Sequence, residues 1–266
     1  MPFPPPTLLR FLDRTRLAPP LFRLYESISS LWPSGEIPAG SGPLPPVLLR
    51  VKVAGTPLAF NYIDGGRKAV HSIDGILRAA GSSLDAQTSI LEFGCGCGRV
   101  LSCLDRNNAI AGCDLNPDLI AWVNRRLPEI DARVNGLEPP LPWMDGSFDL
   151  VFALSVFTHL PEPIAVRWMA ELSRVLKPGG YLAISTHGEH YSGVLSPTER
   201  AVFAAGRIVE RFVGSAGSNL CNTYTPESYV RNVLGAGMRC AAFRARGALG
   251  NPEQDLYLFQ KPMIEI

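Results

Sequence analysis

The sequence predicts an α/β chain built on a doubly wound, largely parallel sheet, and three observations predict it. Short apolar runs at Ser89–Phe93, Ala109–Cys113 and Phe148–Ala153 alternate with segments of helical periodicity. The first run breaks into Gly94-Cys95-Gly96-Cys97-Gly98, where glycines let the backbone turn sharply and leave no side chains in the way of a ligand. Acids mark the ends of the first two runs, Glu92 and Asp114, twenty-two positions apart. In a parallel sheet two such carboxylates flank one crevice, at the point where strand order reverses and ligands bind.

The elements follow in order. Residues 1–60 form a proline-rich N-terminal helical extension without strand–helix alternation. Within it Pro19-Pro20 opens a helix carrying Leu21, Leu24, Tyr25, Ile28, Leu31 and Trp32 on one side. That stripe reads as packing, as a lid or as a dimer contact. Ser34–Pro46 is a proline- and glycine-rich linker. Residues 61–266 then form the α/β domain, opening with a helix over 67–80 that Gly81 caps. The spacing predicts a strand at 89–93 with a helix at 97–106, and a strand at 109–113 with a helix from Pro117 to 126. A short strand at 131–134 precedes the continuously apolar strand at 148–153, which suits a buried central position. A helix over 162–176 stops at Pro178-Gly179-Gly180, and a strand follows at 181–186. Residues 187–225 are an insertion with one helix near 197–213. A helix at 226–235 and strands at 238–245 and 254–260 complete a seven-stranded sheet with an antiparallel C-terminal hairpin.

Composition excludes several classes of function. A formal net charge of +1 offers no field for nucleic acid or for an anionic membrane. No apolar run approaches the roughly 20 residues of a membrane span, and Met1–Pro6 lacks the charged start and apolar block of a secretion signal. Six cysteines in a chain of this size read as free thiols of a reducing cytoplasm rather than a disulfide framework. Cys95, Cys97, Cys103 and Cys113 lack the paired C-x-x-C spacing of structural zinc, so no metal is expected.

The glycine loop carries the chemistry. A dinucleotide fingerprint would need glycine at position 99, where Arg99 stands. Glu92, just before the loop, would repel a pyrophosphate but attract a cationic amino-acid group. The acid-x-G-x-G-x-G pattern resembles the class I S-adenosylmethionine-dependent methyltransferases. The likeness continues through Leu141-Pro142-Trp143-Met144-Asp145-Gly146-Ser147-Phe148-Asp149-Leu150-Val151, similar to that family's approach to its fourth strand. Ser155-Val156-Phe157-Thr158-His159-Leu160 resembles the segment after that strand, and Leu172–Leu182 the helix, turn and fifth strand. It covers about residues 70–262.

This resemblance implies a Rossmann-like fold and S-adenosylmethionine as cofactor. Glu92, Phe93, Gly94, Cys95 and Gly96 would meet its methionine portion, Asp114 the ribose hydroxyls, and Leu115 one face of the adenine. Asn135, with Gly136 and Leu137, falls where the family often places an aspartate for the adenine amino group; here Asn135 or a backbone amide would serve. Ser155 lies where the sulfonium should sit. Asp145-Gly146-Ser147 reads as a turn, with Asp149 anchoring backbone.

Candidate catalytic groups are His159, on the rim after the fourth strand, and His187 and His190, directly after the fifth. Each is a proton acceptor near neutral pH or a structural or solvated residue. The expected function is methyl transfer to a small-molecule acceptor by in-line displacement, the acceptor lying between the N-terminal segment and the insertion. A homodimer is compatible with the apolar stripe. The competing readings are an NAD(P)-dependent oxidoreductase and a non-catalytic relative that keeps the cofactor pocket.

Overall fold

A computed structural model describes residues 17–39, 42–105, 108–250 and 252–263. The first part of the extension, including Met1–Pro6, lies outside the described residues. Two helices come first, α1 (Ala18–Ser29) and α2 (Val47–Ala54), and a long helix α3 (Ala59–Ala79) leads into the sheet. The sheet comprises β1 (Ser89–Phe93), β2 (Ala109–Asp114), β3 (Asp131–Val134), β4 (Phe148–Ala153) and β5 (Leu176–Thr186). Helix α4 (Pro117–Arg126) joins β2 to β3, and α5 (Glu162–Val175) joins β4 to β5. After α6 (Pro197–Ala204), a small antiparallel pair β6 (Val209–Arg211) and β7 (Asn222–Tyr224) stands apart from the main sheet. A helical turn at Glu227–Tyr229 runs into a π-helical segment, Val230–Leu234, before β8 (Arg239–Ala248) and β9 (Gln254–Gln260).

Strand order is β3-β2-β1-β4-β5-β9-β8, parallel from β3 through β5 and antiparallel from β5 through the C-terminal hairpin. This is the predicted seven-stranded Rossmann-like sheet. The chain reverses direction across the sheet between β1 and β4, so the crevice of a doubly wound fold opens at their carboxyl ends. Two apolar layers hold the strands. One packs α5 and the π-helical segment around Trp168, Leu172, Val230 and Leu234; the other packs α3 and α4 around Ile73, Leu77, Ile120 and Val123.

Several elements differ from the sequence expectation, each for a local reason. No α-helix follows the glycine loop at 97–105. Gly96 and Gly98 sit at φ +57° and +78°, outside the helical region, and only a 3-10 turn at Leu101–Cys103 forms before β2. Helix α3 takes over that face of the sheet. It starts at Ala59 rather than 67, and Gly65 and Gly66 let the loop lie directly on it: a Cβ at Gly66 would meet the Arg99 carbonyl oxygen at 2.5 Å. The helix predicted at 197–213 stops at Ala204, because Gly206 turns the chain at φ +74° and Val209–Arg211 pairs as a strand. Strand β5 begins at Leu176, with Pro178-Gly179-Gly180 absorbed as an irregularity between its pairings to Phe148 and Leu150. Helix α2 had no predicted counterpart.

Asp149 is the anchor expected of it. Its Oδ2 accepts from the backbone N–H groups of Thr88 and Ser89 and from both hydroxyls, while Lys177 Nζ reaches Oδ1 at 2.9 Å. Burial alone would raise the pKa of this carboxyl, but the hydrogen bonds prevail and hold it far below the usual carboxylate range. A depressed value stabilises the fold above the unfolded pKa near 3.8 and is lost as pH falls. Asp149→Asn should therefore cost about 1–2 kcal/mol at pH 7. The gap to the wild type should close as thermal melts are taken from pH 5 down through the acid range.

Candidate active site

A cleft of about 370 Å³ opens at the carboxyl ends of β1, β2 and β4. All eleven residues that the sequence assigns to a cofactor line it: Glu92, Phe93, Gly94, Cys95, Gly96, Asp114, Leu115, Asn135, Gly136, Leu137 and Ser155. Gly94 is at φ +77°, and a Cβ there would lie 2.3 Å from Val156 Cγ2, so the loop and the segment after β4 close to a distance only glycine permits. Phe93 packs on the indole of buried Trp168 at a centroid separation of 4.4 Å, and the indole N–H donates to the Leu137 carbonyl. One tryptophan thus ties the end of β1 to the segment after β3.

The floor of the cleft is electrostatically unfinished. Glu92 is 4% exposed, and its Oε2 has no hydrogen-bond partner. Burial pushes its carboxyl well above the usual range; the Arg99 guanidinium pulls it down in part, and Asp114 raises it further. Asp114 accepts from the Gly96 N–H at 2.9 Å and the Asn116 N–H at 2.8 Å, yet burial outweighs these bonds and raises its pKa too. On the same wall Nε and Nη1 of Arg99 are buried without partners. Both residues line the cleft, and a buried open acceptor on Glu92 beside the Arg99 guanidinium fits a zwitterionic amino-acid group, whose ammonium would lie towards Glu92 and whose carboxylate towards Arg99. A carboxylate keeps about four acceptor directions, so Asp114 retains capacity for hydroxyl donors beyond its two backbone bonds. The residues present therefore fit a nucleoside joined to an amino acid. A pyrophosphate would face two carboxylates at the loop.

Arg99 entered the sequence reading only as the residue that breaks the dinucleotide fingerprint. Its position, on the first turn after the glycines, was the signal that could have placed it on the cleft. Also missed were Arg23 and Glu26 of α1, Lys52 and Val53 of α2, and Gly217, Ser218 and Asn219 of the insertion, all of which line the cleft. Val53 rests on Gly96, where a Cβ would come within 2.8 Å of it, and Asn219 Nδ2 donates to the Lys52 carbonyl at 2.6 Å. Gly217 lies against Leu115 and Leu137 and donates its N–H to the His159 carbonyl. Extension and insertion thus meet over one opening, a contact between residues 167 positions apart that no local pattern encodes.

The three candidate histidines separate. His159 lines the cleft; its Nδ1 lies 2.7 Å from the Cys221 carbonyl oxygen, which can only accept, so Nδ1 carries the proton and Nε2 is the free acceptor. Burial lowers the His159 pKa, which keeps the ring neutral. His187 is buried behind the wall, 4.3 Å from the Tyr191 ring, with its pKa lowered to about 3 mainly by burial. His190 is exposed and lies edge-on to Tyr191. Neither lines the cleft, because β5 delivers its end into the cover formed by β7 and Tyr224 rather than into the crevice. Ser155 holds a positive φ of 59°, its N–H donating to Ser185 Oγ and its Oγ accepting from Gln254 Nε2. Among the described residues no cluster of three His, Cys, Asp or Glu could hold a metal ion, and no helix is long and apolar enough to cross a membrane.

Comparisons with known proteins agree with this geometry. A family profile described as a methyltransferase domain matches residues 91–184, from β1 to β5. The chain is 32% identical over 130 residues to a ubiquinone biosynthesis O-methyltransferase of Xanthomonas oryzae pv. oryzae, covering 46% of this chain and 54% of that protein. It is 30% identical over 131 residues to the protein of the same name from Xanthomonas campestris pv. campestris. The chain spans about half the length of the curated relatives it matches. A solved structure from Pyrococcus horikoshii superposes with a TM-score of 0.55 at 17% identity, covering 76% of this chain and 95% of that one. An S-adenosylmethionine-dependent methyltransferase from Mesorhizobium loti gives 0.51 at 16% identity, covering 65% and 90%; both likenesses show the fold. Residues 91–184 of the chain thus match a methyltransferase domain, and its sheet order and glycine-loop cleft are similar to those of the class I S-adenosylmethionine-dependent methyltransferases.

Proposed function

We propose that the protein methylates a hydroxyl oxygen of a small molecule, by in-line displacement, in the cytoplasm. Bound in the cleft, S-adenosylmethionine supplies a methyl carbon activated by a positively charged sulfur. The chain supplies the remainder. Glu92 and Arg99 hold the two charges of the amino-acid group, Asp114 accepts from the ribose, and Leu115, Leu137 and Asn135 bound the adenine. The single observation that carries oxygen as the acceptor atom is His159: its Cys221 bond fixes the tautomer that leaves Nε2 free on the cleft wall. A neutral imidazole there takes the proton of a hydroxyl, a task an amine or carboxylate acceptor would not require. The O-methyltransferase relatives support the same atom.

Incubating the full chain with methyl-labelled cofactor and matched phenols, amines and carboxylic acids tests this. Label is expected in the phenols with a free hydroxyl and absent from their methyl ethers. Label confined to amines or carboxylates would overturn the oxygen assignment, and cofactor uptake with no product across the panel would favour a non-catalytic binder.

A further inference from the structure

Helix α1 lies with the wrong face outward for a helix of an isolated domain. Ala18 is its only buried residue, whereas Leu17, Leu21, Leu24, Tyr25, Ile28 and Trp32 are each about half exposed or more. Leu21, Leu24, Tyr25 and Ile28 fall on one stripe at helical spacing, which Leu17 at the N-cap and Leu31 and Trp32 in the turn after the helix extend at its two ends. The opposite side carries Arg23 and Glu26 to the cleft. The stripe also has an internal symmetry. About the midpoint between residues 24 and 25, Leu17 is matched by Trp32, Leu21 by Ile28 and Leu24 by Tyr25.

We propose that this face packs against the same face of a second copy of the chain, the two α1 helices running antiparallel about a two-fold axis, and that the contact holds Arg23 and Glu26 over the cleft. A two-fold axis brings residue i of one helix to residue j of the other and j to i, so a palindromic stripe is what an isologous helix pair requires. Size supports the same occupant. Six such side chains, at on the order of 80–100 Å² each, present about 500–600 Å² per copy. That is most of the roughly 800 Å² per partner of a standard stable interface. A bilayer surface is the poorer fit: α1 carries one Arg and one Glu, without the basic polar face that draws an interfacial helix to anionic lipid. The clamp over the cleft rests on the cofactor reading above; the helix pair itself does not.

Sedimentation equilibrium of the full chain, wild type and Leu24→Ser/Ile28→Ser, separates these points. The wild type is expected to sediment as a dimer at about 10 µM, and the double variant as a monomer with unchanged circular dichroism. A monomeric wild type overturns the proposal, as does a variant that folds and still dimerises. So does wild-type monomer pelleting with phosphatidylglycerol vesicles, which would make lipid the occupant. Calorimetry with S-adenosylhomocysteine on the same samples is expected to show about tenfold weaker binding by the monomeric variant. Equal affinity would overturn the clamp and keep the dimer. A dimer that binds no S-adenosylhomocysteine at all would refute the cofactor reading instead.

Discussion

Replacing Glu92 with glutamine should move binding and stability in opposite directions. The side chain keeps its shape, but a buried and only partly compensated charge disappears. Truncating a charged partner at a desolvated site costs about 2–3 kcal/mol, so affinity for S-adenosylmethionine should fall roughly 30- to 150-fold. The ligand-free protein should gain. Burial raises the Glu92 carboxyl far above its unfolded value, so its contribution to stability is complete below the unfolded pKa near 4.5 and is lost as pH rises through the folded one. Glutamine has no such loss. Thermal melts of ligand-free protein should therefore show the variant ahead of the wild type at pH 7 and level with it near pH 4.5. A variant less stable at neutral pH would mean that Glu92 is a structural acid, satisfied by groups other than ligand.

Substitution of His159 by asparagine is the second large effect. Asparagine can still donate to the Cys221 carbonyl, so the wall stays formed while the free ring nitrogen is lost. A general base contributes about 10²- to 10⁴-fold, and kcat for a phenolic acceptor should drop by that factor with KM nearly unchanged. The pH profile supplies a readout that a packing role would not move. With its pKa lowered by burial, wild-type His159 gives an acid limb below pH 6.5, and activity rises as pH climbs through it. The variant should lack that limb. Retention of the limb in His159→Asn would assign the proton transfer elsewhere.

What the sequence made legible follows the range of the interactions. Strands β1, β2 and β4 and the acids at their ends were readable because a buried parallel strand is a continuous apolar run and a glycine loop is local chemistry. Eight of the eleven assigned cleft residues come from those strand ends and the short segments after them, and Asn135, Gly136 and Leu137 follow β3. The helix expected after the glycines failed because the same glycines that shape the loop hold positive φ, while α3 arrives from earlier in the chain to cover that face. Residues of the cover were invisible for a different reason. Lys52 and Asn219 meet only through tertiary contact, and neither segment has a repeat or motif that points to the other. His187 looked like a site residue because it follows a strand whose end should face the crevice. The β7 pairing and Tyr224 turn it inward, and that pairing was not foreseen.

Glu92 and Asp114 place two buried carboxylates at one cleft, and isothermal titration of the full wild-type chain with S-adenosylmethionine and with NAD tests their role most directly. Saturable binding of the positively charged nucleoside, with no heat from the dinucleotide, is the expected result. Tight uptake of NAD with indifference to S-adenosylmethionine would contradict it.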